Sequence, residues 1–139
     1  MDFTDALKPF NHLNRLVIIR EERIKREGSA PYVYTGGVIA AGAYAEFEVA
    51  KQFPESRKYA PLDYIQIINN EATNDITVAI NGSKLTRYCP AKTIHTISNQ
   101  ALWTIRVTNN GAGNTTAGKV VLTLQKEAMT ADKLAQRLR

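Results

Sequence analysis

The side chains in this chain that could do chemistry are few and scattered: His12 and His95, a lone cysteine at Cys89, and the glutamates Glu46 and Glu48. The histidines stand too far apart for any ligand spacing, and the β-branched neighbours in Thr93-Ile-His-Thr-Ile97 place His95 on the face of a strand. Cys89 precedes Pro90 with no base beside it, so it reads as a small buried thiol rather than a nucleophile. Carboxylates two apart on one strand face occur in some glycosidases, yet alternating acidic residues also mark a strand turned to solvent or to a partner. Gly36-Gly37 and Gly111-Ala-Gly113 lack the lysine and following helix of a phosphate loop and read as turns. Asn114-Thr-Thr116 matches a glycosylation sequon, read as accidental because no secretion signal is seen. Aromatic side chains are the remaining candidates, since a groove of tyrosines could stack on sugars or bases. Among them Trp103 alternates with Ile105 and Val107 and is expected in the core. No catalytic residue, cofactor or metal site is expected, and an enzyme is disfavoured.

The elements that would have to position such residues are clearer. Asp63–Ile68, Asp75–Ile80, Leu102–Thr108 and Lys119–Gln125 are rich in β-branched and aromatic residues. Between them lie Asn69-Asn70, Asn81-Gly82 and Asn109-Asn110-Gly111, which tolerate the positive φ of tight hairpins. Upstream, Tyr32-Val-Tyr34 and Ala43–Ala50 read as two more strands, the second alternating Tyr44, Glu46 and Glu48 against Ala45, Phe47 and Val49. Phe53–Pro61 reads as a polar loop bracketed by prolines, and Lys84–Ser98 as two short strands around Pro90. The pattern predicts an antiparallel β-sandwich over residues 31–126. Ile65, Ile67, Ile76, Val78, Ile80, Trp103, Ile105, Val107, Leu122 and Leu124 should fill its core. No internal repeat or low-complexity segment is read.

The flanks differ from this block. Phe3, Leu7, Phe10, Leu13 and Val17 recur at spacings of three or four, as on the apolar face of a helix, and Arg20–Glu27 follows as a dense mixed-charge run with i,i+4 pairs. Residues 1–30 are therefore expected to form a helical or extended arm that reaches a neighbouring subunit. Residues 127–139 are expected to form a short helix capped by Thr130.

At 139 residues with 44% hydrophobic and 22% charged side chains, the chain suits one globular domain with terminal extensions. A single cysteine rules out an internal disulfide. No stretch approaches the length of a membrane-spanning helix, and no signal peptide is read at the N-terminus. The net charge is +5, but most of the excess comes from Lys119, Lys126, Lys133, Arg137 and Arg139 near the end of the chain. A nucleic-acid surface needs basic residues gathered on one face, so this role is disfavoured.

Tyr64–Asn70, Asp75–Gly82, Pro90–Ile97 and Ala101–Val107 together resemble small, jelly-roll-like β-sandwich structural proteins of bacterial and archaeal viruses, over about half the chain. The resemblance implies a jelly-roll-like sandwich in a non-enzymatic capsid, minor capsid or capsid-decoration subunit. Such a subunit is made in the host cytoplasm and lodged in the virion, with other copies of itself and other coat proteins as partners and no small-molecule substrate. It transfers no functional residue. A carbohydrate- or receptor-binding sandwich is the alternative, with Tyr32, Tyr34, Tyr59 and Tyr88 as the aromatics that would have to be exposed. A third reading is a basic nucleic-acid-binding subunit using the C-terminal helix.

Overall fold

The computed structural model describes residues 27–82 and 85–127. The apolar positions Phe3, Leu7, Phe10, Leu13 and Val17, and the helix expected after Glu127, lie outside the described residues. Residues Ala30–Lys126 form one compact unit. Its strands are β1 (Tyr32–Thr35), β2 (Tyr44–Glu48), β3 (Leu62–Asn69), β4 (Ile76–Ile80), β5 (Leu85–Cys89), β6 (Thr93–Leu102), β7 (Thr104–Asn109) and β8 (Val120–Gln125). Between β2 and β3 the chain makes one helical turn, α1 (Val49–Gln52), where the strand was expected to continue to Ala50, and a 3-10 helix, Pro54–Tyr59, within the expected polar loop. Proline at its first position supplies a φ already suited to a helical start.

The strands form two four-stranded antiparallel sheets, in the orders β1-β8-β3-β6 and β2-β7-β4-β5. Their inward side chains build a sandwich-like core. Ile67 and Leu122 pair across β3 and β8, as do Ile65 and Leu124. Val78 pairs with Val107 and Ile80 with Ile105 across β4 and β7. All of these are fully or almost fully buried, as alternation requires when one face of each sheet packs inward. Tyr34 stacks on Phe47 at 4.4 Å, Tyr32 lies 5.6 Å from Phe53, and Phe47 meets Phe53 edge-on at 6.2 Å. These rings join edge strand β1 of the first sheet to β2, the edge of the second.

The connections depart from expectation. Only β4 and β5 are neighbours both along the chain and within a sheet, joined through Asn81 and Gly82 at φ of 55° and 72°. Every other connection crosses from one sheet to the other. Asn69-Asn70 and Asn109-Asn110-Gly111 are therefore not hairpin turns. Asn69 and Asn109 end β3 and β7 with their side chains completely buried.

The two amides do the same work. The Oδ1 of Asn69 accepts from the Glu71 N–H at 3.1 Å, and its Nδ2 donates to the Asn74 and Cys89 carbonyls, both at 3.0 Å. In Asn109, Oδ1 accepts from the Gly111 N–H at 2.9 Å, while Nδ2 donates to the Gly113 and Ile39 carbonyls at 2.8 and 2.9 Å. The Asn70 N–H then reaches the Lys119 carbonyl just before β8, and the Asn110 N–H reaches the Asp75 carbonyl just before β4. The two loops read Asn69-Asn-Glu-Ala-Thr-Asn74 and Asn109-Asn-Gly-Ala-Gly-Asn114, a six-residue repeat with four identical positions. This corrects the reading that the chain has no internal repeat. Topology agrees: advancing every strand number by four, counted round eight, turns the order of one sheet into that of the other.

The halves differ where the loops touch. Asn74 Nδ2 donates to the Asn114 carbonyl at 3.0 Å, and a Cβ on Gly111 would fall 2.9 Å from the Asn74 Cα and closer still to its side chain. Gly111→Ala should therefore lower the urea midpoint of unfolding, at a cost of about 1–3 kcal/mol. Asn109→Ala removes the side-chain partners of the Gly111 N–H and the Gly113 carbonyl and one of the two donors to the Ile39 carbonyl, which keeps the Thr115 N–H, and should cost about 1–3 kcal/mol. Stability of either variant equal to the parent in urea titration would show that the loops do not depend on these contacts.

Candidate interaction surfaces

Few chemistry-bearing residues converge. His95 occupies an inward position on β6 opposite Ile67, and its Nε2 is buried with no hydrogen-bond partner among the described residues. Cys89, paired with Ile76 at the end of β5, is completely buried, and its carbonyl receives the Asn69 amide. Burial pushes its thiol up to about 11, with nearby Arg87 pulling the other way. His12 lies outside the described residues. Among the described residues no group of three or more His, Cys, Asp or Glu side chains could hold a metal, and no helix is long and apolar enough to cross a membrane.

The outer face of the second sheet is polar and internally matched. Register sets Tyr44, Thr108, Thr77 and Tyr88 in one row, and Glu46, Arg106, Ala79 and Thr86 in the next. Arg106 donates through Nε and Nη2 to Glu46 Oε2 at 3.0 and 2.9 Å, and its guanidinium lies 4.4 Å from the Tyr44 ring centroid. Glu48 instead meets Lys51, 3.5 Å away on α1. The two glutamates on one strand face, as alternation required, are thus each held by a different cation. An open cleft of about 460 Å³ runs along Glu46, Phe47, Glu48, Lys51 and Gln52. At the far edge the Tyr88 hydroxyl donates to Asp75, whose other oxygen accepts the Ala91 N–H at 2.9 Å. These two bonds hold the Asp75 carboxyl below the usual range, and the first raises Tyr88.

The outer face of the first sheet is of another kind. Its rows are Thr35, Val121, Ile68 and Ile94; then Val33, Thr123, Gln66 and Thr96; then Gln125, Tyr64 and Ser98. None of these side chains carries a charge. Ile94 and Val33 are more than half exposed, at 62% and 53%.

The aromatics sort differently from expectation. Tyr32, Tyr34 and Tyr59 pack against the core, whereas Tyr44 and Tyr88 are exposed. Trp103, expected in the core, is 53% exposed. It is the single residue between β6 and β7, where the chain leaves one sheet for the other, so β7 alternation begins only at Thr104. Its backbone is fixed: the N–H donates to Asn81 Oδ1 at 2.9 Å and the carbonyl accepts from the Val49 N–H at 2.9 Å. Asn81 Nδ2 also donates to the Ala101 carbonyl at 2.8 Å. The corner holds the backbone rigid and leaves the indole outside. Thr115 of the apparent sequon is buried, its Oγ1 accepting from the Ile39 N–H at 2.7 Å.

Two outcomes follow from these environments. Trp103→Ala should change stability by no more than about 0.5 kcal/mol, as at other exposed positions, and the native indole should be quenched by iodide. A loss of about 3–5 kcal/mol would place the ring back in the core. Cys89 should resist a thiol reagent at pH 8 until the chain unfolds. An unfolded thiol titrates near about 8.5, so above that pH the unfolded chain releases a proton that the folded chain keeps. Stability should therefore fall as pH rises from about 8.5 towards 11 in the parent, and less steeply in Cys89→Ala.

No protein-family model matches this sequence, and no curated protein matches it.

Proposed function

We propose that this chain is a non-enzymatic structural subunit of a virus particle, of capsid, minor capsid or capsid-decoration type, acting through contacts with further copies and with other coat proteins. The strand orders β1-β8-β3-β6 and β2-β7-β4-β5 support a jelly roll, two interlocked Greek keys that serve viral capsids, lectins and cupins alike. A fold shared so widely does not choose among them, and the surface has to. The observation that carries the reading is the uncharged outer face of the first sheet. Soluble surfaces normally intersperse charges of both signs, and a whole sheet face without one suits contact with another protein. Residues 1–30, with Phe3, Leu7, Phe10, Leu13 and Val17, would supply an arm to a neighbour.

Solution mass tests this. The full chain should form a multi-subunit species, and a chain lacking residues 1–27 should keep its β-sheet circular dichroism but assemble less. Gln66→Glu, a charge in the middle of the uncharged face, should also weaken assembly while leaving the melting temperature within a few degrees. A single-chain mass for the full protein over a wide concentration range would sink the proposal.

One observation favours a second reading, a carbohydrate-binding module. Trp103 presents its ring on a fixed backbone, and Tyr88 is exposed at the edge of the polar face of the second sheet, features that suit stacking on sugar rings. Tryptophan fluorescence titrated with oligosaccharides decides it. Saturable binding that Trp103→Ala abolishes would replace the structural reading, and a flat response would remove the alternative.

A further inference from the structure

We propose that the outer edge of β6 is a self-association site, where two copies pair antiparallel about a two-fold axis and join their first sheets into one eight-stranded sheet. A strand at the edge of a sheet offers unpaired main-chain groups, and proteins normally guard such edges with short strands, charges or prolines. Three of the four edges here are guarded. β1 is only four residues long. β2 is five residues long, carries Glu46 and Glu48, and turns directly into α1. β5 is five residues long and carries the exposed Arg87 opposite Val78, a charge that a docking strand would have to cover.

β6 has none of these devices. It is ten residues long, without lysine, arginine, aspartate, glutamate or proline, and no described strand pairs with its outer side. Thr93–Ser98 runs in unbroken register with Asn69–Tyr64 of β3. The irregularity comes only beyond, near Asn99 at φ 56°. The regular edge is therefore six residues, about 20 Å long.

Its chemistry favours a second copy of this chain as the occupant. In a two-fold contact, residues near the axis face themselves or their close neighbours, and like charges directly opposite are destabilising. An edge with no lysine, arginine, aspartate or glutamate meets that condition. With the axis at Thr96, Thr96 meets Thr96 and Ile94 meets Ser98 of the second copy. All three are exposed on the uncharged outer face, so the two uncharged faces become continuous. The contact is small, so pairing should depend on protein concentration.

The inference rests on the assembly reading in that it requires self-association, and it assigns one contact of that assembly. The test is sedimentation velocity of the full chain over a concentration series, alongside Thr96→Lys, Thr96→Glu and, as a control on the guarded β5 edge, Thr86→Lys. The parent and Thr86→Lys should associate through an even-numbered step. Thr96→Lys and Thr96→Glu should each pair at least about tenfold more weakly, because the new charge faces its own copy. A one-to-one mixture of the two should recover pairing. If Thr96→Lys associates like the parent, or the mixture fails to recover, the edge pairing is overturned while the assembly reading stands. If the parent remains a single chain throughout, both fall.

Discussion

Two completely buried side-chain amides hold this sandwich together at its crossings. An antiparallel pair joined by a hairpin satisfies its end groups within the ladder, but a chain that leaves one sheet for the other strands its main-chain groups inside the protein. Asn69 and Asn109 resolve this at equivalent places: each accepts one N–H and donates to two carbonyls, tying the end of its strand to the loop that follows and to a further segment. Asparagine is suited to it because one short side chain carries both two donors and an acceptor. Aspartate would accept but not donate, and alanine would do neither. The cost of an unsatisfied buried group makes these two positions far less replaceable than neighbouring core isoleucines, whose shapes can be repacked.

Much of the fold was legible because burial imposes a period of two on a strand. Ile65, Ile67, Ile76, Val78, Ile80, Ile105, Val107, Leu122 and Leu124 fall inward as alternation requires, and Tyr44, Glu46 and Glu48 face out. Less legible was which sheet each strand joins. An Asn-Asn or Asn-Gly pair suits a hairpin loop and a crossing alike, and only pairing partners distinguish them. Trp103 departs from its expected place for a related reason: the alternation of β7 does not extend back before Thr104, across the corner where the chain changes sheets. The repeat at residues 69–74 and 109–114 is hard to distinguish in the sequence because most of its identical residues are common turn formers. Its meaning appears only when both asparagines are found buried.

The candidate surfaces were less visible still. A sheet face is assembled from four strands distant in sequence, so the absence of charge over Thr35, Val121, Ile68 and Ile94 could not be read from any one segment. The opposite face illustrates the contrast: Glu46, Arg106 and Tyr44 form a closed set of contacts on adjacent strands, with little left over for an outside partner. One sandwich thus presents a self-contained polar face and an open uncharged one. That asymmetry arises despite a topology that treats the two sheets alike.

The place of β8 carries a consequence for how the chain reaches this state. It lies between β1 and β3, so the earliest and latest described strands are neighbours. While the chain is being made, β1 has no partner in its sheet until Gln125 has emerged, and β3 can pair only with β6. Completing the first sheet must then close loops of many tens of residues, which is slow compared with joining adjacent hairpins. The sandwich is in effect locked by its last described strand, and until that strand arrives the first sheet has a gap through its middle that any other extended chain can enter.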